Sequence, residues 1–156
     1  LTIDENLKDS IIVILKNPSR ATKFVSDKTI YNVTSWIYKN RMRFRQLENV
    51  GTIIVLNLIP FYETYSEKLV KSDIKIIDKE NLRSIKTLTG KHKNVIIAWG
   101  DHPKGLLKEF EELKKAVFSL FEINKNSVFY IDKLSVKGNP KHGMVWGYDN
   151  ELLEYK

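Results

Sequence analysis

Ile11-Ile12-Val13-Ile14-Leu15-Lys16-Asn17-Pro18-Ser19-Arg20 decides how this chain is read. Its aliphatic run is far shorter than the roughly 20 residues of a membrane span. It also lacks the polar alternation of a half-exposed strand, so it fits a parallel strand covered on both faces. Pro18 then disfavours a helical conformation at Asn17, and the chain leaves the sheet in a turn. Two further runs repeat the arrangement. Ile53-Ile54-Val55-Leu56 meets Asn57-Leu58-Ile59-Pro60, and Val95-Ile96-Ile97-Ala98 meets Trp99-Gly100-Asp101-His102-Pro103. Open parallel sheets bind their ligands at the carboxyl ends of the strands. Polar residues just past all three runs therefore point to a site.

The intervening segments read as helices. Residues 28–47 form one, starting near a possible N-cap at Asp27, with Trp36 and Ile37 inward and Tyr38 and Phe44 left open. A short helix is expected at 66–72. Another is expected at 78–90, with Leu82, Ile85 and Leu88 on one face and Gly90 as the stop. Leu106, Phe110, Leu113, Val117, Leu120 and Phe121 recur at helical steps and mark the clearest helix. A last strand, about 127–132, runs into Lys137-Gly138-Asn139-Pro140-Lys141-His142-Gly143. Strands alternating with helices call for a parallel sheet. The expectation is a single three-layer α/β/α domain over residues 1–156, with a central sheet of four parallel strands.

At 156 residues the chain is long enough for a real core, and 42% apolar residues suit a soluble globular protein. No signal-peptide pattern opens the sequence, and a cytoplasmic location is expected. Cysteine is absent, which excludes disulfides, thiolate nucleophiles and Cys-ligated zinc. A net charge of +7 suits an anionic partner, nucleic acid first, and equally suits simple solubility. A monomer is expected, with no membrane partner. The chain contains neither a Gly-x-Gly-x-x-Gly loop, a P-loop nor a Gly-x-Ser-x-Gly elbow. His92, His102 and His142 are scattered, so no metal site and no cofactor are expected.

The candidate chemistry gathers in five places. The Asn17 amide can project from a strand end as donor and acceptor, beside Pro18; Ser19 can cap the next segment and Arg20 can hold a phosphate. An ordinary Asn-Pro turn is the plainer alternative. Asn57, straight after buried aliphatics, needs a partner, either a base edge or a loop. Trp99 and Gly100 end the third strand; Trp99 reads more as core than as a stacking platform, and Asp101 as the cap of a helix near Pro103. Asn139, Pro140, Lys141 and His142 lie in a Gly- and Pro-bounded loop suited to approach an anionic backbone, with His142 able to stabilise an anionic leaving group. Tyr38 to Arg45 interleaves aromatics with Arg41 and Arg43. It reads either as a phosphate-tracking stretch or as a solvated helix face.

Asn17-Pro18-Ser19-Arg20-Ala21, Asp27-x-Thr29, Asn57-Leu58-x-Pro60, Ala98-Trp99-Gly100 and Gly138-Asn139-Pro140-Lys141-His142 together resemble the bacterial and phage family called domain of unknown function 1643. The order of the motifs is in turn similar to the uracil-DNA glycosylase superfamily. That resemblance implies a glycosylase-like fold that acts on or recognises a base in DNA. It implies catalytic roles for Asn17, at the water-positioning place, and for His142. It implies that Asn57 reads the base, with Pro18, Ser19, Arg20, Trp99, Gly100 and Asn139 around the substrate and Arg41, Arg43, Lys137 and Lys141 on the DNA backbone. In this chain Asn stands where the main branch has an Asp, and His142 follows Pro140 instead of preceding it. The aromatic that would stack on the base has Phe24, Tyr31 and Phe61 as candidates. Two readings of another class stay open: a non-catalytic nucleotide- or DNA-binding module, and a protein-interaction domain.

Overall fold

The computed structural model describes residues 1–18, 28–61 and 76–156. Five strands form one sheet in the order β2-β1-β3-β4-β5: β1 Asp9–Leu15, β2 Val50–Asn57, β3 Asn94–Ile97, β4 Ser127–Ile131 and β5 Leu152–Glu154. The first four are mutually parallel and β5 runs antiparallel to β4. The expected sheet of four strands is thus corrected to five. The added strand spans three residues, with Leu153 and Glu154 exposed, and it is too short and too polar to announce itself by periodicity.

Helix α1 (Lys28–Asn40) covers one face of the sheet; α2 (Lys79–Thr89) and α3 (Leu107–Asn124) cover the other. The division follows from strand alternation. In β1, Ile11, Val13 and Leu15 pack with Val33, Trp36 and Ile37 of α1, whereas Ile12 and Ile14 join Ile85 of α2 and Phe110, Leu113 and Val117 of α3. Because both faces are covered, β1 can carry five aliphatics in a row without exposing one.

Helix boundaries have local causes. The Asp78 carboxylate accepts from Asn81 N at 2.7 Å and starts α2, and Gly90 ends it. Helix α1 stops at Asn40, earlier than residue 47. There the Asn40 side chain donates to Trp36 O and Tyr148 O, and Arg43 N closes a tight turn onto Asn40 O. Helix α3 begins at Leu107 with no side-chain cap, because Pro103 and Gly105 (φ +83°) first form a separate turn. The expected helix at 66–72 and the cap at Asp27 lie outside the described residues. Among those residues no helix is long and apolar enough to cross a membrane.

Candidate functional site at the carboxyl rim of the sheet

From β1 the chain moves to β2 on one side and then to β3 on the other, which places a topological switch between β1 and β3. In doubly wound sheets that is where the ligand crevice opens. Leu15 is in register with Asn57, and the ladder continues past the strands: Leu58 N donates to Leu15 O at 2.8 Å and Ile59 N to Lys16 O at 2.7 Å. The backbone carbonyls of Asn57 and Leu58 accept from Asn81 at the start of α2, at 3.0 and 3.1 Å. Lys16, Asn17 and Asn57 are therefore fixed side by side at one rim. The Asn17 amide lies at 3.2 Å from Pro18 O as a donor.

The late histidine reaches the same rim. Gly143 N donates to Ala98 O at the end of β3, at 3.3 Å. A Cβ on Gly143 would lie 2.6 Å from Val33 Cγ2 and 3.2 Å from Leu15 Cδ2, so only glycine lets the chain settle this deeply between β1 and α1. His142 then stands over Gly100, whose own Cβ, at φ +67°, would come within 3.1 Å of His142 Cβ. Met144 N donates to His142 Nδ1 at 3.2 Å. The neutral ring must therefore carry its proton on Nε2.

A stripe of α1 holds this segment in place. Asn32 donates to Gly143 O (2.8 Å) and Trp146 O (3.2 Å), Trp36 Nε1 to Gly147 O (2.9 Å), and Asn40 to Tyr148 O (3.0 Å). Positions 32, 36 and 40 recur every four residues, so one helical face presents three N–H donors to one strap of backbone. That spacing was visible in the sequence; what it would bind was not.

Asp101 is the rim's carboxylate, and it does not cap α3 as expected. Its Oδ1 accepts from Ser135 Oγ at 2.6 Å and Asn139 Nδ2 at 2.9 Å. These two hydrogen bonds hold its pKa below the usual carboxylate range, with Lys137 and His102 adding smaller electrostatic help. Asn139 is buried, and its carbonyl oxygen accepts from Lys114 Nζ at 2.6 Å. Both ends of its amide are therefore engaged within the protein, and it pins the loop after β4 to β3 and α3. Lys137 remains exposed on that loop, 3.3 Å from His102 Nε2.

Other expected residues lie elsewhere. Trp99 is fully buried on the α3 side, edge-on to Phe118, and its indole N–H meets no acceptor among the described residues. It offers no face for a base to stack on. Arg41 pairs with Asp4 at 2.7 Å, and Asp4 N donates to Gly51 O at the start of β2, so Arg41 sits at the amino end of the sheet, away from the asparagines. The Arg41 guanidinium holds the Asp4 carboxyl below its usual range. Arg43 pairs with Glu151 at 2.6 Å and Lys141 with Asp132 at 2.8 Å. Arg41, Arg43 and Lys141 thus each stand beside a carboxylate partner. Ser19, Arg20 and Phe24 lie outside the described residues. Of the remaining aromatic candidates, Tyr31 is exposed on α1 and Phe61 packs against the core on the α2 and α3 side.

Residues 2–144 match the family described as Protein of unknown function (DUF1643). The chain belongs to that family. The match covers all the rim residues, from Lys16 to His142, and ends inside the short 3-10 turn Gly143–Val145. No curated protein and no solved structure matches this DUF1643 chain. Among its described residues no cluster of His, Cys, Asp or Glu could hold a metal ion.

Proposed function

We propose that this DUF1643 protein recognises a nucleic-acid base at the carboxyl rim and hydrolyses its N-glycosidic bond, on a fold of the uracil-DNA glycosylase type. The observation that carries the reading is the meeting at one rim of Asn17, Asn57 and the His142 segment, which are far apart in the chain. Asn57, with one donor and one acceptor, would pair with the edge of an extruded base. Asn17 would orient water toward the sugar carbon as positive charge builds there. An amide cannot accept the proton, so its contribution is positioning, and the proton lost by the water as the C–O bond forms passes through solvent to the base anion released when the C–N bond breaks. With its proton on Nε2, the His142 ring would donate to the departing base anion. Asn139 would act indirectly, holding the loop.

The test is incubation with oligonucleotides containing uracil or modified bases, scored as abasic sites by alkaline strand scission. Wild type should release at least one base. His142→Ala should slow release about 10²- to 10³-fold, the usual loss for a preorganised donor. Failure to release any base removes the hydrolase assignment.

A second reading has its own support. The rim carries amides, and its carboxylate, Asp101, already accepts two hydrogen bonds. Among the described residues that carboxylate is engaged within the protein, and a rim so arranged suits a module that binds a base or nucleotide without turnover. Salt-dependent DNA binding, unchanged in His142→Ala and without product, would favour it.

A further inference from the structure

Lys16 takes no part in base reading or bond cleavage as proposed, yet it occupies the centre of the rim. It comes straight after the buried aliphatics of β1, and its backbone carbonyl is tied to Ile59. Its side chain is half-buried, and the four ion pairs found among the described residues do not include it. Burial draws its pKa below the usual lysine range, and the nearby Asp101 carboxylate opposes that only in part. Lys137 acts on the same carboxylate from the loop after β4. His102 Nδ1 lies 3.0 Å from Pro103 O and its Nε2 lies 3.3 Å from Lys137 Nζ, so the ring stands against that side chain. Ala98 N donates to Ile14 O, so Lys16 and Asp101 leave neighbouring strands at one rim, and Ser135 and Asn139 tie the loop that carries Lys137 to that same carboxylate. A half-buried cation is costly without an anion to complete it.

We propose that Lys16 and Lys137 form a phosphate-binding cradle at the carboxyl ends of β1 and β3. It selects a phosphorylated ligand, nucleotide or nucleic-acid strand, over the free nucleoside. The amino group of lysine suits phosphate as a mobile point charge. Asp101 keeps the two ammonium groups from repelling each other while the cradle is empty, and it anchors the loop that carries Lys137. The inference deepens the base-reading proposal and rests on it, since the base would lie beside the cradle.

The full chain is titrated with thymidine, thymidine 5′-monophosphate and a fluorescein-labelled oligonucleotide, with inorganic phosphate as competitor. Wild type is compared with Lys16→Met, Lys16→Arg and Lys137→Gln, each checked for an unchanged melting temperature. The monophosphate should bind about ten-fold or more tighter than the nucleoside. Lys16→Met should abolish that advantage, and Lys16→Arg should keep most of it. In the oligonucleotide arm, Lys16→Met should reduce the slope of log affinity against log salt by about 1. Displacement of the monophosphate by inorganic phosphate identifies a terminal phosphate as the recognised group. Binding of the oligonucleotide without the monophosphate, lost in Lys16→Met, identifies the backbone diester. Equal binding of nucleoside and monophosphate, or a Lys16→Met protein that matches wild type in both arms, overturns the cradle; nucleoside binding that is lost in Asn57→Ala then leaves base reading standing. Absence of binding by all three ligands overturns both.

Discussion

Gly100 shows how single residues shape this site. Its φ of +67° lies in the left-handed region, and a Cβ there would press on His142. Gly100→Ala should cost about 1–2 kcal/mol from backbone strain alone and displace His142 as well. Urea unfolding should therefore show a lower midpoint, and base release or binding should fall further than the stability loss accounts for. Asp101 carries the pH dependence. Its folded pKa is depressed, chiefly by the Ser135 and Asn139 hydrogen bonds. The stability it contributes is therefore present above the ordinary carboxylate range and is lost as pH falls through its lowered folded value. The gap in melting temperature between wild type and Asp101→Ala should be widest above the ordinary carboxylate pKa of about 4 and should narrow as pH falls through the lowered folded value.

Among the elements, α1 does more than cover the sheet. Its Asn32, Trp36 and Asn40 donors fix the backbone that comes after His142. Asn32→Ala would leave Gly143 O and Trp146 O without that donor, at a cost of about 1–3 kcal/mol. Amide hydrogen exchange should then accelerate across residues 143–148, while α2 and α3, on the other face, keep their protection. The apolar periodicities of α2 and α3 were legible in the sequence because a 3.6-residue repeat is a local property. The early end of α1 was not legible. Asn40 stops the helix by bonding Tyr148, 108 residues away, and no window around residue 40 contains that partner. The same holds for Asp101, which was expected to cap α3: a capping Asp and one that binds a distant loop look alike until Ser135 and Asn139 are brought beside it.

Across the whole molecule, the two cores share the same strands. Trp36 and Trp146 report on the α1 side and Trp99 on the α3 side, with β1 and β3 contributing alternate residues to each. A single cooperative unfolding transition is the expected result. Phe110→Ala should cost about 3–5 kcal/mol. In that variant tryptophan fluorescence and backbone circular dichroism should still melt together; separate transitions would mean that the two layers are independent.

The order of elements was written in the sequence itself. Short aliphatic runs covered on both faces specified buried parallel strands, amphipathic repeats specified the helices between them, and the sequence of motifs specified the family. The asparagines just past β1 and at the end of β2 were bound to share a rim once those strands paired. The tertiary structure alone decided the antiparallel fifth strand and the clasp of α1 on the 143–148 strap. It also decided that Asp101 meets Ser135 and Asn139 and that Lys137 meets His102. Periodicity is set by each residue's near neighbours. These contacts join residues distant in the chain, and only the folded sheet brings them within hydrogen-bonding or electrostatic reach.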